Sequence, residues 1–185
     1  MNEVGAAAQG FEGPWQVTEL ASVSDADLEA LTDILCDCVE GGASVGFMLP
    51  LTREHALAFW QRIAVDVAAK RRVLLVARDA QGICGTVQLI LDLPDNQPHR
   101  ADVAKMQVLR RVRRQGLGAV LMRAAETAAR ARGRHLLVLD AVTGGDGARL
   151  YERLGWTRVG DIPQYALWPG GGYVSTTYYY RDLSD

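Results

Sequence analysis

The sequence predicts a mixed α/β layer fold, and three observations lead there. Apolar residues recur at helical spacing in four segments and at strand spacing in seven. These segments follow the order strand, two helices, three strands, helix, strand, helix, two strands. Within that order the unit 100–141 is strand, helix, strand, which demands a parallel, right-handed crossover, while the middle meander of three strands, the last of which opens that unit, is antiparallel.

The chain has 185 residues, the length of one domain, and 49 % of them are apolar against 23 % charged. That balance supports a packed core and excludes disordered or collagen-like structure. Twenty Lys and Arg stand against 22 Asp and Glu, a net charge of −2, so no global positive field draws the molecule to nucleic acid or to an acidic membrane. Any anion binding must be local. Apolar stretches of four to five residues fall far short of the roughly 20 that cross a bilayer. The N-terminus lacks the basic and apolar regions of a secretory signal, which makes the cytoplasm the expected location. Cys36 and Cys38 lack the two-residue spacer of a metal site, Cys84 stands alone, and all three read as buried thiols. No metal is expected.

Taken in order, residues 1–13 read as a flexible leader before one domain over 14–185. Trp15–Leu20 alternates as a strand. Ser24 and Asp27 form a capping box for a helix whose Leu28, Leu31, Leu35 and Cys38 share a face. Three glycines and Pro50 break the chain over 41–50, yet this stretch is too apolar for an idle loop and is expected to fold over something. Thr52 caps a second helix carrying Ala56, Phe59, Trp60, Ile63 and Val67. Arg72–Arg78 and Thr86–Leu91 make a hairpin with Val87, Leu89 and Leu91 on one face. Arg100–Leu109 is a strand, followed by a helix with Leu117, Leu121, Ala124 and Ala128 inward and Gly133 at its stop. His135–Ala141 suits a strand buried on both faces. A short helix over Asp146–Leu154 and two strands, Thr157–Tyr165 and Val174–Leu183, complete the chain.

The segment Val108 to Ala119 carries the chemistry. A strand runs into Arg110-Arg111-Val112-Arg113-Arg114-Gln115-Gly116-Leu117-Gly118-Ala119, where glycines let successive N–H groups face one concavity at the positive end of a helix. That is an anion cradle, and Arg113 and Arg114 add charge beside it. Gly118-Ala119-Val120 is not the Gly-Lys-Ser/Thr of a nucleotide P-loop. Leu121 stands where a dinucleotide fingerprint needs its third glycine.

Arg113-x-x-Gly116-x-Gly118 resembles the Gln/Arg-x-x-Gly-x-Gly/Ala motif of the GNAT N-acetyltransferases, again between a strand and a long helix. Leu150-Tyr151-Glu152-Arg153-Leu154-Gly155-Trp156 is similar to the same family's Leu-Tyr-x-x-x-Gly-Phe segment. The tabtoxin-resistance branch of the family is resembled further, through Gly41-Gly42-Ala43-Ser44-Val45-Gly46-Phe47-Met48 and Thr157-Arg158-Val159-Gly160. From about residue 15 the likeness covers nearly the whole chain.

The resemblance implies a GNAT (acyl-CoA N-acyltransferase) fold, with a mixed sheet of about six to seven strands and helices on both faces. It implies acetyl-CoA as co-substrate, with the pyrophosphate on the amides of Arg113, Arg114, Gln115, Gly116, Leu117, Gly118 and Ala119. The pantetheine arm would run along the strand 100–108 past Met106, Gln107 and Val108. Gly144 stands where many members of the family carry an asparagine that contacts this arm. Tyr151 matches the tyrosine that protonates the leaving thiolate. Asp102 lies where several members place a base, and counting by two puts Asp102, Ala104, Met106 and Val108 on one face; pairing of Asp102 with Arg100 or Lys105 is the alternative. Asp140, ending an apolar strand, is expected to hold the substrate ammonium or to cap the next loop. Ser44, Phe47 and Tyr165 are the other expected substrate contacts.

The expected reaction is therefore acetylation of a small amine, such as an amino-acid-like toxin of the tabtoxinine-β-lactam kind, by direct transfer in a ternary complex. Polyamines, aminoglycosides or protein N-termini as acceptors, and a non-catalytic CoA-binding module, are the alternatives. The chain would work as a monomer or homodimer without nucleic acid or membrane as a partner.

Overall fold

The computed structural model describes residues 14–184; the leader expected over 1–13 lies outside them. Seven strands form one sheet: β1 (Gln16–Glu19), β2 (Arg72–Asp79), β3 (Gly82–Ile90), β4 (Arg100–Val108), β5 (Leu136–Val142), β6 (Thr157–Leu167) and β7 (Tyr173–Asp182), in the spatial order β1-β2-β3-β4-β5-β7-β6. Only β4 and β5 are parallel, joined by the crossover helix that the sequence demands. Helices α1 (Asp25–Glu40) and α2 (Arg53–Ala68) cover one face of the sheet, and α3 (Leu117–Arg130) and α4 (Asp146–Arg153) the other. Among the described residues no helix is long and apolar enough to cross a membrane.

Local chemistry explains where the helices start. Ser24 Oγ accepts the N–H of Asp27, and the Asp27 carboxylate accepts the N–H of Ser24, so two otherwise unpaired helix-end donors are satisfied reciprocally. Leu28, Leu31, Leu35 and Cys38, the apolar stripe of α1, are all buried against β2 and α2. Thr52 Oγ1 takes the His55 N–H at the start of α2, and Trp60 is 1 % exposed beneath it. Each fully buried side chain of this size contributes about 1.5–3 kcal/mol of transfer free energy.

Two strands differ from expectation. β3 is buried on both faces from Ile83 to Leu89, because α1 and α2 cover its polar side as well. Thr86 Oγ1 there donates to Leu75 O, and Gln88 accepts from Arg72. β5 shows the reverse. Leu137 and Leu139 are buried under α3, but Asp140 is exposed and Leu136 and Val138 are half-buried, since α1 and α2 do not reach across this strand. An open shelf results on the α1/α2 side of β5 and β7.

A stability test follows from the α1 cap. Burial raises the Asp27 pKa, but hydrogen bonds from Ser24 and the Arg78 guanidinium outweigh it and hold the carboxyl below its ordinary value of 3.8. A depressed carboxylate stabilises the fold fully above its unfolded pKa, and that contribution is lost as pH falls through the folded value. Asp27→Ala is expected to cost about 1 kcal/mol at neutral pH, with the gap to wild type closing below pH 3.8. Denaturant melts across this range check it; a gap unchanged at about pH 2 contradicts it.

Candidate active site

The site begins where β4 and β5 part. Their ladder has only three pairs, Arg100↔Leu136, Ala101↔Leu137 and Asp102↔Val138. Beyond it β4 continues with β3 as far as Val108, while β5 follows β7 as far as Val142. The two strands therefore diverge toward their C-terminal ends and leave a cleft through the sheet.

A bulge sits on the β4 side of this cleft. Thr86 pairs with Gln107 but Gln88 pairs with Ala104, so Val87 alone opposes both Lys105 and Met106. Lys105 adopts φ +49°, unusual for a side-chain-bearing residue. The extra residue resets the alternation. Asp102, Ala104 and Gln107 face α1 and α2, whereas Met106 and Val108 face α3, so the face that counting by two assigns to all of Asp102, Ala104, Met106 and Val108 is divided. Asp102 is salt-bridged to Arg100. The Gln107 side chain is buried, and its amide makes no hydrogen bond among the described residues.

After β4 a single 3-10 turn, Arg110–Val112, leads into the cradle. Gly116 at φ +96° reverses the chain into α3, a left-handed conformation that favours glycine. The N–H groups of Arg114, Gln115, Gly116, Leu117 and Gly118 have no acceptor among the described residues. The outer two of the expected seven do. Arg113 N–H donates to Arg110 O and Ala119 N–H to Gly116 O, which leaves five consecutive N–H groups without an acceptor among the described residues. Gly118 serves packing: a Cβ there would lie 2.9 Å from Leu150 Cδ2 and 3.8 Å from the Met106 side chain.

Three of the four clustered arginines are engaged elsewhere. Arg110 pairs with Asp37 and Arg111 with Asp79. Arg113 turns back, donating from Nε to Val108 O at 3.0 Å and from its guanidinium to Cys38 Sγ at 3.4 Å. It thus ties the end of β4 to α1 instead of extending its charge over the cradle. Arg114 alone projects, 85 % exposed, with Asp146 at 3.6 Å. The Gln115 amide folds onto Arg111 O, and Leu117 is buried under the sheet.

On the α3/α4 side of the cleft, Tyr151 is 6 % exposed, its ring 5.9 Å from Trp156 and 6.1 Å from Tyr179. Burial, with a smaller contribution from the Asp140 charge, pushes its hydroxyl well above the ordinary tyrosine range. On the α1/α2 side, Asp140 Oδ2 accepts from Thr176 Oγ1 at 3.0 Å and lies cross-strand from Tyr178. Tyr178 shares a 2.8 Å hydrogen bond with Tyr165, which with burial pushes its pKa up to about 12. The stretch 41–50 does fold over this shelf. Ser44 Oγ donates to Leu167 O, Leu49 N–H to Pro169 O, and Val45 O accepts from Lys105 Nζ at 2.8 Å. Phe47 packs edge-on to Phe59 at 5.2 Å and to His55 at 5.6 Å. Burial pushes the Cys84 thiol up to about 11, as befits an inert core residue.

Sequence reasoning missed Lys105, Tyr178, His55 and Arg62 as neighbours of this shelf. Lys105 is one of four polar residues in β4, with Arg100, Asp102 and Gln107, so its side chain carries no special signal in the sequence. Nothing local marks the other three, because the strand order places Tyr178 and the packing of α2 places His55 and Arg62.

The packing role of Gly118 can be tested by a double-mutant cycle. Gly118→Ala should gain about 1 kcal/mol of helix propensity but lose a similar amount against Leu150. In a Leu150→Ala background the gain should emerge, a coupling of about 1 kcal/mol. Equal effects in both backgrounds would show that no contact exists.

Residues 69–158 match the model of the acetyltransferase (GNAT) domain. The chain is 32 % identical over 126 residues to an uncharacterised N-acetyltransferase encoded in the hisH–hisA intergenic region of Azospirillum brasilense, which spans 67 % of this chain and 73 % of that protein. Among solved structures it is similar to yncA of Salmonella typhimurium, determined with its cofactor acetyl-CoA, with a TM-score of 0.73 at 19 % identity over 94 % of this chain and 96 % of that one. A GCN5-related N-acetyltransferase from Kribbella flavida gives 0.74 at 24 % identity, covering 92 % and 98 %. The seven-stranded mixed sheet is the GNAT fold, and with its domain match and its relative at 32 % identity the chain belongs to the GNAT N-acetyltransferase family.

Proposed function

We propose that this enzyme transfers the acetyl group of acetyl-CoA to a small, amino-acid-like amine in the cytoplasm, by direct transfer in a ternary complex. The observation that carries the reading is the row of five unengaged N–H groups, Arg114 to Gly118, at the mouth of the cleft between β4 and β5. Consecutive backbone donors at a helix start suit a pyrophosphate, and Arg114 supplies an exposed cation beside them. The unpaired edge of β4 from Val103 to Val108 suits the amides of a pantetheine arm. When bound, acetyl-CoA supplies an activated thioester.

The residues of this chain divide the remaining work between the faces of the sheet. Tyr151 stays protonated at neutral pH because its hydroxyl is desolvated, so it can donate a proton to a departing thiolate. Asp140 attracts and orients the acceptor ammonium from the other side, next to the Tyr165–Tyr178 pair. The ammonium releases one proton to water, the freed amine forms the C–N bond as the C–S bond breaks, and the proton it then sheds restores the tyrosine that protonated the thiolate. Asp102 is engaged by Arg100 on the same face of the sheet, whereas the Asp140 carboxylate has no cationic ion-pair partner among the described residues and is the one we assign to the ammonium. Ser44 and Phe47 belong to the stretch 41–50 that borders this shelf, and a short, apolar cover of this kind suits a compact acceptor. A toxin of the tabtoxinine-β-lactam kind meets these requirements. A polycationic aminoglycoside would need a wider, more acidic cleft.

Thermal melts and kinetics test the reading together. At about 100 times its dissociation constant acetyl-CoA should stabilise the fold by about 2.7 kcal/mol, with NAD far behind; equal effects would count against the cradle. Tyr151→Phe should lower kcat by about 10²-fold or more while leaving acetyl-CoA affinity unchanged. Turnover within about threefold of wild type would make the tyrosine structural.

A further inference from the structure

Next to the ammonium shelf lies a second concavity of opposite character. It encloses about 520 Å³ between the 46–50 stretch and α2, and Phe47, Met48, His55, Phe59, Arg62 and Lys105 line it. Three of these six side chains are basic, and among the described residues no carboxylate lines the cavity. Arg62 has no ion-pair partner among the described residues, although most other arginines of the chain do. A guanidinium left without a carboxylate at the edge of an apolar cavity is free to receive one from a ligand.

Lys105 joins this cavity to the acetyl-transfer cleft. The bulge in β4 swings it out of the sheet alternation. Its ammonium is held by Val45 O at 2.8 Å and lies 5.9 Å and 5.7 Å from the ring centres of Phe47 and Phe59. It also feels the charge of Asp140, while burial lowers its pKa. A ligand lying across Lys105 would therefore meet the Asp140 carboxylate on one side and the Arg62 guanidinium, with the His55 ring, on the other.

We infer that the cavity of His55, Arg62 and Lys105 binds the carboxylate of the acceptor, so that the substrate is an amino acid whose amine is directed to Asp140 and whose carboxylate is held against α2. This inference rests on the proposed acetyl transfer and adds an anion requirement to it. Phe47, Met48 and Phe59 give the cavity an apolar wall. A free polyamine or a protein N-terminus lacks the carboxylate that this pocket prefers.

The experiment compares the common amino acids with their C-terminal amides as acceptors, reading released CoA thiol, on the wild-type chain and on Arg62→Gln, an exposed position where folding is not at stake. For the acids that turn over, wild type should lose at least about tenfold in kcat/KM on amidation. Arg62→Gln should shrink that ratio mainly through KM, with its acetyl-CoA dissociation constant unchanged. Lys105→Met provides the second variant and should shrink the ratio as well. Amides equal to or better than the acids on wild type would overturn the carboxylate site and leave acetyl transfer intact, as would an Arg62→Gln ratio equal to that of wild type. A chain that does not bind acetyl-CoA at all would overturn the underlying reading instead.

Discussion

Everything that distinguishes this sheet follows from the short ladder between its only parallel pair. β4 has neighbours on both sides for three residues and then keeps company with β3 alone, while β5 turns away with β7. Backbone donors and acceptors on the β4 edge beyond Asp102 are left without a strand partner, and because buried peptide groups are costly to leave unpaired, we assign this edge to the ligand. The cleft also joins the two faces of the sheet. A desolvated tyrosine can stand on one side of a bound thioester while carboxylate and cations face it from the other.

The arginine-rich turn works differently from its appearance in sequence. Four positive charges in five residues suggest a phosphate clamp made of side chains, but three of them anchor the turn to α1, β4 and the β2–β3 connection. What faces outward is backbone. The charges hold in place the peptide groups to which we assign the anion, and a loop anchored in this way costs less to order when a ligand binds. Arg113 is the clearest case: a residue of the recognition motif whose side chain closes the bottom of the site.

Much of the fold was legible in the chain, for physical reasons. Helix starts are written in local chemistry, and Ser24, Asp27 and Thr52 cap the helices that they signal. The crossover 100–141 fixed the parallel pair, and the glycine pattern at 116 and 118 fixed the turn. What could not be read is non-local or depends on one backbone angle. No alternation rule announces the bulge at Lys105, so the face of every later residue on β4 was misjudged. The burial of β5 was overestimated because hydropathy records that a strand is apolar, and not which helix reaches it. The basic cavity joins a loop, α2 and β4, three segments whose meeting depends on the sheet order β3-β4-β5.

The central claim is that the free amides from Arg114 to Gly118 receive the pyrophosphate of acetyl-CoA. Amide NMR of the uniformly labelled chain, titrated in parallel with CoA and with dephosphorylated pantetheine, tests it residue by residue. The account predicts that CoA shifts the N–H resonances of residues 114–118 and slows their hydrogen exchange, that Arg113 and Ala119 respond less, and that pantetheine leaves all of them near their free positions. Saturating CoA that moves β4 resonances but leaves 114–118 unchanged would contradict it.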